Sequence, residues 1–292
     1  MTVRALFDVS APAKLNLFLH VVGRRPDGYH LLQSLFVLID WADTLHFERR
    51  SDGRLARHDL GAALPADDLC LRAARALQAQ SATALGADIS VLKSVPWGAG
   101  MGGGSSDAAT TLLALNRLWG LNWPRDRLLA LGLSLGADVP FFIGGRNAVV
   151  QGIGERLHPW SVPTQWLAVV KPPCNIDTGR LFASPLLKRN TEAVILESFA
   201  ANAQKPLWAP GFGTNDLQAA AQAECADVAR AAAMLTHRYG ASRMTGSGSA
   251  VFAWAGTGER PAHDMPGDVA PEWVSRMCRS LQQHPLAGWA AD

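Results

Sequence analysis

Apolar and polar positions alternate along the first fifty residues and then give way to helical spacing, so the chain reads as strand-rich first and mixed afterwards. Leu6 to Val9 forms a short strand. After Ser10, Ala11, Pro12 and Ala13 a second strand runs from Lys14 to Val22, with Leu15, Leu17 and Leu19 on one face and Asn16, Phe18 and His20 on the other. Lys14 and Asn16 therefore share a face. Pro26, Asp27 and Gly28 make a turn leading into Tyr29 and His30, and Ser34 to Trp41 and Thr44 to Phe47 continue as strands. From Asp67 to Leu77 the spacing is helical, with Leu69, Ala73, Ala76 and Leu77 in one stripe after an acidic cap. Ile89 and Val91 mark a strand, and a helix follows on Ala108, Leu112 and Leu115 with Ala109 and Leu113. Pro124 starts another helix on Leu128, Leu131 and Leu135, ended by Gly136. Phe141 to Ile143 and Asn147 to Gln151 read as strands separated by Gly144 and Gly145. Glycine and proline punctuate residues 152–163, which places a boundary between units 1–160 and 161–292. Beyond it come a strand from Trp166 to Val170, helices over Thr191 to Phe199 and Leu217 to Leu235, and, over Ala241 to Ala255, a strand, a glycine turn and a strand or helix start. Gly256 to Gly267 reads as a surface loop. This order of elements is α+β.

Composition narrows the class. The 292 residues suffice for two modest domains, and 48% hydrophobic with 18% charged residues is ordinary for a soluble globular chain. With 27 basic and 25 acidic residues the formal charge is only +2, so no polycationic surface for nucleic acid or anionic membrane is implied. The 4 cysteines, Cys70, Cys174, Cys225 and Cys278, form no CxxC pair, which argues against a zinc site and a disulfide framework and fits a reducing cytoplasm. No apolar run approaches the ~20 residues of a membrane span, and the N-terminus has no export signal. Oligomeric state stays open between monomer and homodimer.

The chemistry is concentrated in Pro96 to Ala109, PWGAGMGGGSSDAA. Gly98, Gly100, Gly102, Gly103 and Gly104 are tolerated together only where the backbone takes positive φ or approaches something closely. Ser105, Ser106 and Asp107 suit the start of the following helix, whose unpaired N–H groups and positive dipole end favour an anion. The stretch thus reads as a polyphosphate cradle. Gly98, Gly100 and Gly103 also satisfy GxGxxG, but a dinucleotide site needs an acidic residue about 20 positions on at a strand end, and Asp126 lies in a helical context. The P-loop pattern fails for want of a lysine, and Met101 with the immediate helix start does not suit a flexible spacer.

Taken whole, PWGAGMGGGSSDAA resembles the central phosphate-binding motif of the GHMP kinases. PAKLNLFLHV at Pro12 to Val21 resembles the first motif of that family, and MTGSGSAVFA at Met244 to Ala253 resembles the third. RPDGYHLLQSLF resembles a segment typical of the branch that phosphorylates the 2-hydroxyl of a cytidine-diphosphate-linked methylerythritol in non-mevalonate isoprenoid synthesis. The resemblance implies an α+β kinase with a ribosomal-protein-like ATP domain and a ferredoxin-like second domain, using ATP and Mg²⁺. It implies catalysis by Lys14 and by Asp138 of LGADVPFFI as base, with the nucleotide on Lys93, Pro96, Gly98, Gly100, Met101, Gly102, Gly103, Gly104, Ser105 and Ser106. Ser106 is also expected to reach the metal. The acceptor is expected on Asn16, on Tyr29 and His30, which would stack on and hydrogen-bond a cytosine, on Thr178 and Phe182, and on Gly246, Ser247 and Gly248, whose loop meets the phosphates from the other domain. Asp68 stands where the family has an asparagine near the adenine. An aspartate cannot donate as an amide does, which leaves the adenine contact unassigned. Two other readings are weighed: a silent nucleotide sensor would be expected to lack Lys14 or Asp138, and a homoserine or mevalonate kinase would have no use for Tyr29 and His30.

Overall fold

The computed structural model describes residues 3–196 and 209–292. Its first sheet grows from a long hairpin of β1 (Ala5–Arg24) and β2 (His30–Arg50), paired antiparallel from Ala5 with Glu48 to Arg24 with His30. The turn is the expected one: Gly28 sits at φ 93°, and Asp27 Oδ1 accepts the Tyr29 N–H at 3.2 Å. β2 carries β1 along one edge and shares the other between β4 (Gly86–Leu92) and β5 (Ala148–Gly152). β3 (Leu55–Asp59) lies parallel to β4, and β6 (Arg156–Pro159) antiparallel to β5. The two strands expected on either side of Pro12 are one strand, with register shifts between Leu6 and Val9 and between Pro12 and Lys14. A proline, lacking an N–H, is accommodated at such an irregularity without ending the strand. A further shift between Asn16 and Leu19 breaks the expected alternation, so that Phe18 packs in one core with Leu15 and Leu17 while Leu19 joins another.

Helices α1 (Leu69–Ser81), α2 (Gly103–Leu118) and α3 (Arg125–Leu135) follow the predicted stripes. α1 has the acidic cap expected, Asp68 accepting the Leu71 N–H, but α2 begins at Gly103 behind a left-handed Gly102, so the serines expected to cap it lie inside its first turn. The predicted strand at Phe141 to Ile143 is instead a short helix, α4 (Val139–Gly144), entered through Pro140. A short, fully apolar run has no readable period, and here tertiary packing decides for helix.

The second sheet is antiparallel, in the order β10 (Val274–Arg279), β7 (Trp166–Lys171), β9 (Val251–Gly256), β8 (Ser242–Met244). The strand–turn–strand reading of Ala241 to Ala255 holds, and residues 257–267 are irregular and mostly exposed. The short α5 (Thr178–Ala183) follows β7. The helix expected over Leu217 to Leu235 is two, α6 (Gln218–Glu224) and α7 (Ala226–Tyr239), broken at Cys225 in extended conformation. Thr191 to Ile195, expected as helix, has no regular structure, and Phe199 lies outside the described residues. The break in the helix brings Cys225 to Cys174, and the two form a disulfide across 51 residues. That pairing corrects the inference from cysteine spacing, which carries no information about which segments meet.

The layers run helices, sheet, sheet, helices. One core packs α1 to α4 on the first sheet through Phe36 and Leu38, a second lies between the sheets with Leu35, Val37 and Ile39 against Leu167, Val169 and Phe252, and a third packs α6 and α7 on the second sheet. β2 is therefore buried on both faces. The C-terminal residues return to the first half, where Arg125 is held by Ala287 O, Ala290 O and Asp292. Among the described residues no helix is long and apolar enough to cross a membrane.

The halves also meet backbone to backbone. Ser249 and Ala250 donate to Gly98 O and Ala99 O at 3.1 and 3.2 Å, and a Cβ on Gly100 would lie 2.3 Å from Thr245 O. Gly100→Ala should therefore cost more than the ~1–2 kcal/mol of a left-handed alanine. Gly120→Ala, also at positive φ but with nothing within 4 Å of the added Cβ, isolates that strain. Equal losses in urea unfolding would refute the close approach.

Candidate functional site

The cradle joins β4 to α2. Gly98, Gly100 and Gly102 all have positive φ, at 62°, 71° and 69°. They coil the chain so that the first turn of α2, which no side chain caps, opens on a cavity of about 440 Å³. The cavity is lined by the cradle from Pro96 to Ser105, by Lys93 and Asp107, and by Leu64, Pro65 and Asp67 to Leu69. Free N–H groups at a helix start are able to hold an anion.

Beneath the cradle lies a buried charge cluster that the sequence reading missed. Asp43, fully buried, accepts the Ser94 and Val95 N–H groups through one oxygen and Lys93 Nζ through the other. Lys93 Nζ also donates to Asp107 Oδ2 at 2.5 Å. Burial alone would lower the Lys93 pKa, but the two carboxylates outweigh it and hold it above the ordinary lysine value. Burial pushes the Asp107 carboxyl up to about 7, against the pull of Lys93. Lys93 thus lines the cavity as expected, but its charge is committed to the protein.

On the other side of Gly100 and Gly102 a second cavity holds the catalytic candidates. Lys14 Nζ lies 3.6 Å from Asp138 Oδ2, 2.5 Å from Asn16 Oδ1 and 3.1 Å from Gly100 O, over the Phe36 ring. Burial pulls the Lys14 pKa below the ordinary lysine value, and Asp138 only partly opposes it. Asp138 precedes α4 without capping it, and its side chain is 31% exposed to the cavity. Asn16 is fixed from both ends. Its N–H donates to Thr245 Oγ1 at 2.9 Å, and its Nδ2 to Ser34 Oγ at 2.9 Å. Thr245, Ser34 and Asn215, which donates to Met244 O and Gly246 O, are support residues that no local motif marks.

This second cavity shares Gly100 and Gly102 with the first and Leu32, Ile153 and Phe182 with a third, which is lined by Tyr29 and His30. His30 stacks on Phe182 at 4.8 Å between ring centroids. Its pKa is lowered by burial and by Arg189 and Arg24, which disfavour the charged ring, and its Nε2 has no protein partner. Tyr29 is 63% exposed at the rim. Thr178 Oγ1 and Ser247 Oγ are 2.8 Å apart, tying the loop after β7 to the third glycine loop.

The sequence-derived site residues thus gather around three adjoining cavities, with three qualifications. Gly246 and Gly248 meet the cradle backbone, a Cβ on Gly246 falling 2.5 Å from Gly100 O. Ser106, expected to reach a metal, is fully buried and donates its hydroxyl to Pro12 O at 2.7 Å, a structural tie rather than an open ligand. Met101 is buried too, and its carbonyl accepts the Lys14 N–H at 3.0 Å.

Residues 68–146 match the GHMP kinases N terminal domain. A curated protein of Methylibium petroleiphilum, 4-diphosphocytidyl-2-C-methyl-D-erythritol kinase, is 66% identical over 99% of this chain and 100% of its own length. A crystal structure of 4-(cytidine 5'-diphospho)-2C-methyl-D-erythritol kinase superposes with a TM-score of 0.78 at 32% identity, covering 93% of this chain and 98% of that one. Homoserine kinase from Cytophaga hutchinsonii, at 16% identity and a TM-score of 0.68, shares the fold. By cradle, cavities and full-length similarity, the chain belongs to the 4-diphosphocytidyl-2-C-methyl-D-erythritol kinases of the GHMP kinase superfamily.

Proposed function

We propose that the chain transfers the γ-phosphoryl group of ATP to the 2-hydroxyl of 4-diphosphocytidyl-2-C-methyl-D-erythritol, a step of isoprenoid biosynthesis. One observation carries this. The Lys14–Asp138 pair sits in the middle cavity, which joins the phosphate cradle through Gly100 and Gly102 to the aromatic mouth through Phe182. A donor in the cradle and a base held between Tyr29 and Phe182 would meet at that pair. Homoserine or mevalonate, without a base, would leave the stacked His30 and Phe182 without a task.

In this reading the N–H groups of Gly103 to Ser105 bind the donor phosphates. As the acceptor oxygen bonds to phosphorus and the bond to the β-phosphate oxygen breaks, the hydroxyl proton passes to the Asp138 carboxylate and ADP leaves. Lys14, held by Asn16 and Gly100 O, faces the Asp138 carboxylate and offsets charge on the transferring group. Among the described residues no group of three potential ligands could cage a metal ion. Mg²⁺ therefore fits as the counterion of the nucleotide, part of the substrate rather than a resident of the protein. We further propose two units, 1–160 and 161–292, working in the cytoplasm as a monomer or homodimer. Reduction of Cys174 and Cys225 there would spare the site, because Cys174 supports it through its carbonyl, which accepts from Lys171 and Ser249.

Asp138→Asn keeps the size but cannot take the proton, so kcat should fall roughly 10²- to 10⁴-fold with both substrates still bound. Near-normal turnover would exclude the base role. The alkaline limb of the pH profile should report loss of the Lys14 charge and fall at lower pH than a free lysine would, as the lowered pKa requires. Lys14→Arg keeps its charge and should lose that limb in whatever activity remains; a persisting limb would assign it elsewhere. Tyr29→Ala should raise KM for the acceptor by about tenfold, the worth of a stacked aromatic contact, and leave KM for ATP unchanged. A selective rise in KM for ATP would overturn the placement of the base.

A further inference from the structure

We propose that Arg57 is a positioning residue of the nucleotide site: its guanidinium fork holds the segment Leu64 to Asp68 as part of the wall of the cavity that the glycine cradle lines. The proposal rests on the reading of that cavity as the ATP site. Between β3 and α1 the chain has no regular structure, yet Leu64, Pro65, Asp67 and Asp68 line the same cavity as the glycines. Such a wall needs its position set by something outside itself. Arg57 reaches it from β3, with a side chain only 7% exposed.

Every nitrogen of the fork is engaged. Nε and Nη2 grip the two oxygens of Asp59 at 2.7 and 3.2 Å, Nη2 also donates to Leu64 O at 3.1 Å, and Nη1 donates to Pro65 O at 2.8 Å and pairs with Asp68 Oδ1 at 2.8 Å. Asp59 adds a bond of its own by accepting the Leu64 N–H at 2.9 Å. The same Asp68 oxygen caps α1 at Leu71, so one carboxylate joins the wall, the fork and the helix. The other ion pair of the segment, Asp67 with Arg75, has both side chains more than half exposed and contributes little. A guanidinium presents five N–H donors in a rigid plane, whereas an ammonium presents three from a single point and cannot span these acceptors. The arrangement also explains Asp68. Its carboxylate is used to fix the wall, a task that suits an arginine partner better than an amide would.

The test is Arg57→Lys, with Arg57→Gln beside it, read by steady-state kinetics and by calorimetric titration with Mg·ADP. Arg57→Lys should raise KM for ATP and Kd for ADP about tenfold, the order expected for lost charge-assisted hydrogen bonds, while kcat at saturating ATP and KM for the acceptor stay as in the parent. Asp68→Asn should weaken ADP binding less, and should add little further loss in the Arg57→Gln background, since the two act through one contact. Gly103→Val serves as the reference for the cavity itself. If it abolishes ADP binding while Arg57→Lys, shown to be folded by its melting curve, binds ADP normally, the clamp is refuted and the nucleotide site stands. If ADP binding survives both substitutions, the nucleotide reading fails. A fall in kcat and acceptor affinity matching the loss of ATP affinity would make Arg57 a general structural residue and also overturn the proposal. Should Arg57→Gln not fold, Arg57→Lys decides alone.

Discussion

The structure depends on two glycine loops from opposite halves of the chain lying backbone against backbone. Gly98 and Ala99 accept hydrogen bonds from Ser249 and Ala250, and Gly100 and Gly246 approach so closely that a Cβ on either would collide with a carbonyl of the other loop. Side chains would hold such loops an atom's width further apart. The contact fixes Gly100 O, which fixes Lys14 Nζ, and it sets Thr245 where it binds Asn16. The first glycine loop, the Lys14–Asp138 pair and the second sheet are thus one assembly, and the position of a single carbonyl is shared among them.

Around that contact the protein keeps buried charges in place by surrounding each with fixed partners. Lys14 would be expelled from its site by desolvation without Asp138, Asn16 Oδ1 and Gly100 O, and Lys93 without its two aspartates. The two lysines differ in consequence. Lys93 is outweighed by carboxylates and behaves as a structural cation beneath the cradle, whereas Lys14 has one carboxylate, stays below its ordinary pKa and faces the cavity. Arg57 repeats the Lys93 solution in the segment before α1, where its fork is saturated by protein acceptors.

Much of the loop was legible because a backbone that coils at positive φ directly before a helix requires glycines close together in sequence. Lys14 and Asn16 were placed together because a strand has a period of two, and they are in fact hydrogen-bonded. Tyr29 and His30 were placed at the end of a turn by Pro26, Asp27 and Gly28. These are local rules, and they held where the physics was local.

What the sequence determined by itself, then, was the cradle, the helices with a clear stripe, the hairpin turn and the residue types available for catalysis. Tertiary structure decided the rest, because it depends on segments far apart in the chain. The apolar run at Phe141 became helix, since burial on all sides removes the periodicity that separates helix from strand. The register shift after Asn16 moved Phe18 between cores, and the break at Cys225 brought that residue to Cys174. Asp43 meets Ser94 across 51 residues, and Asn16 meets Thr245 across 229. Ser106 reads as a metal ligand in its motif, but packing of α2 on β1 turned its hydroxyl to Pro12 O. Hydrogen-bond partners of this kind are set by how sheets and helices stack, and no spacing along the chain records that.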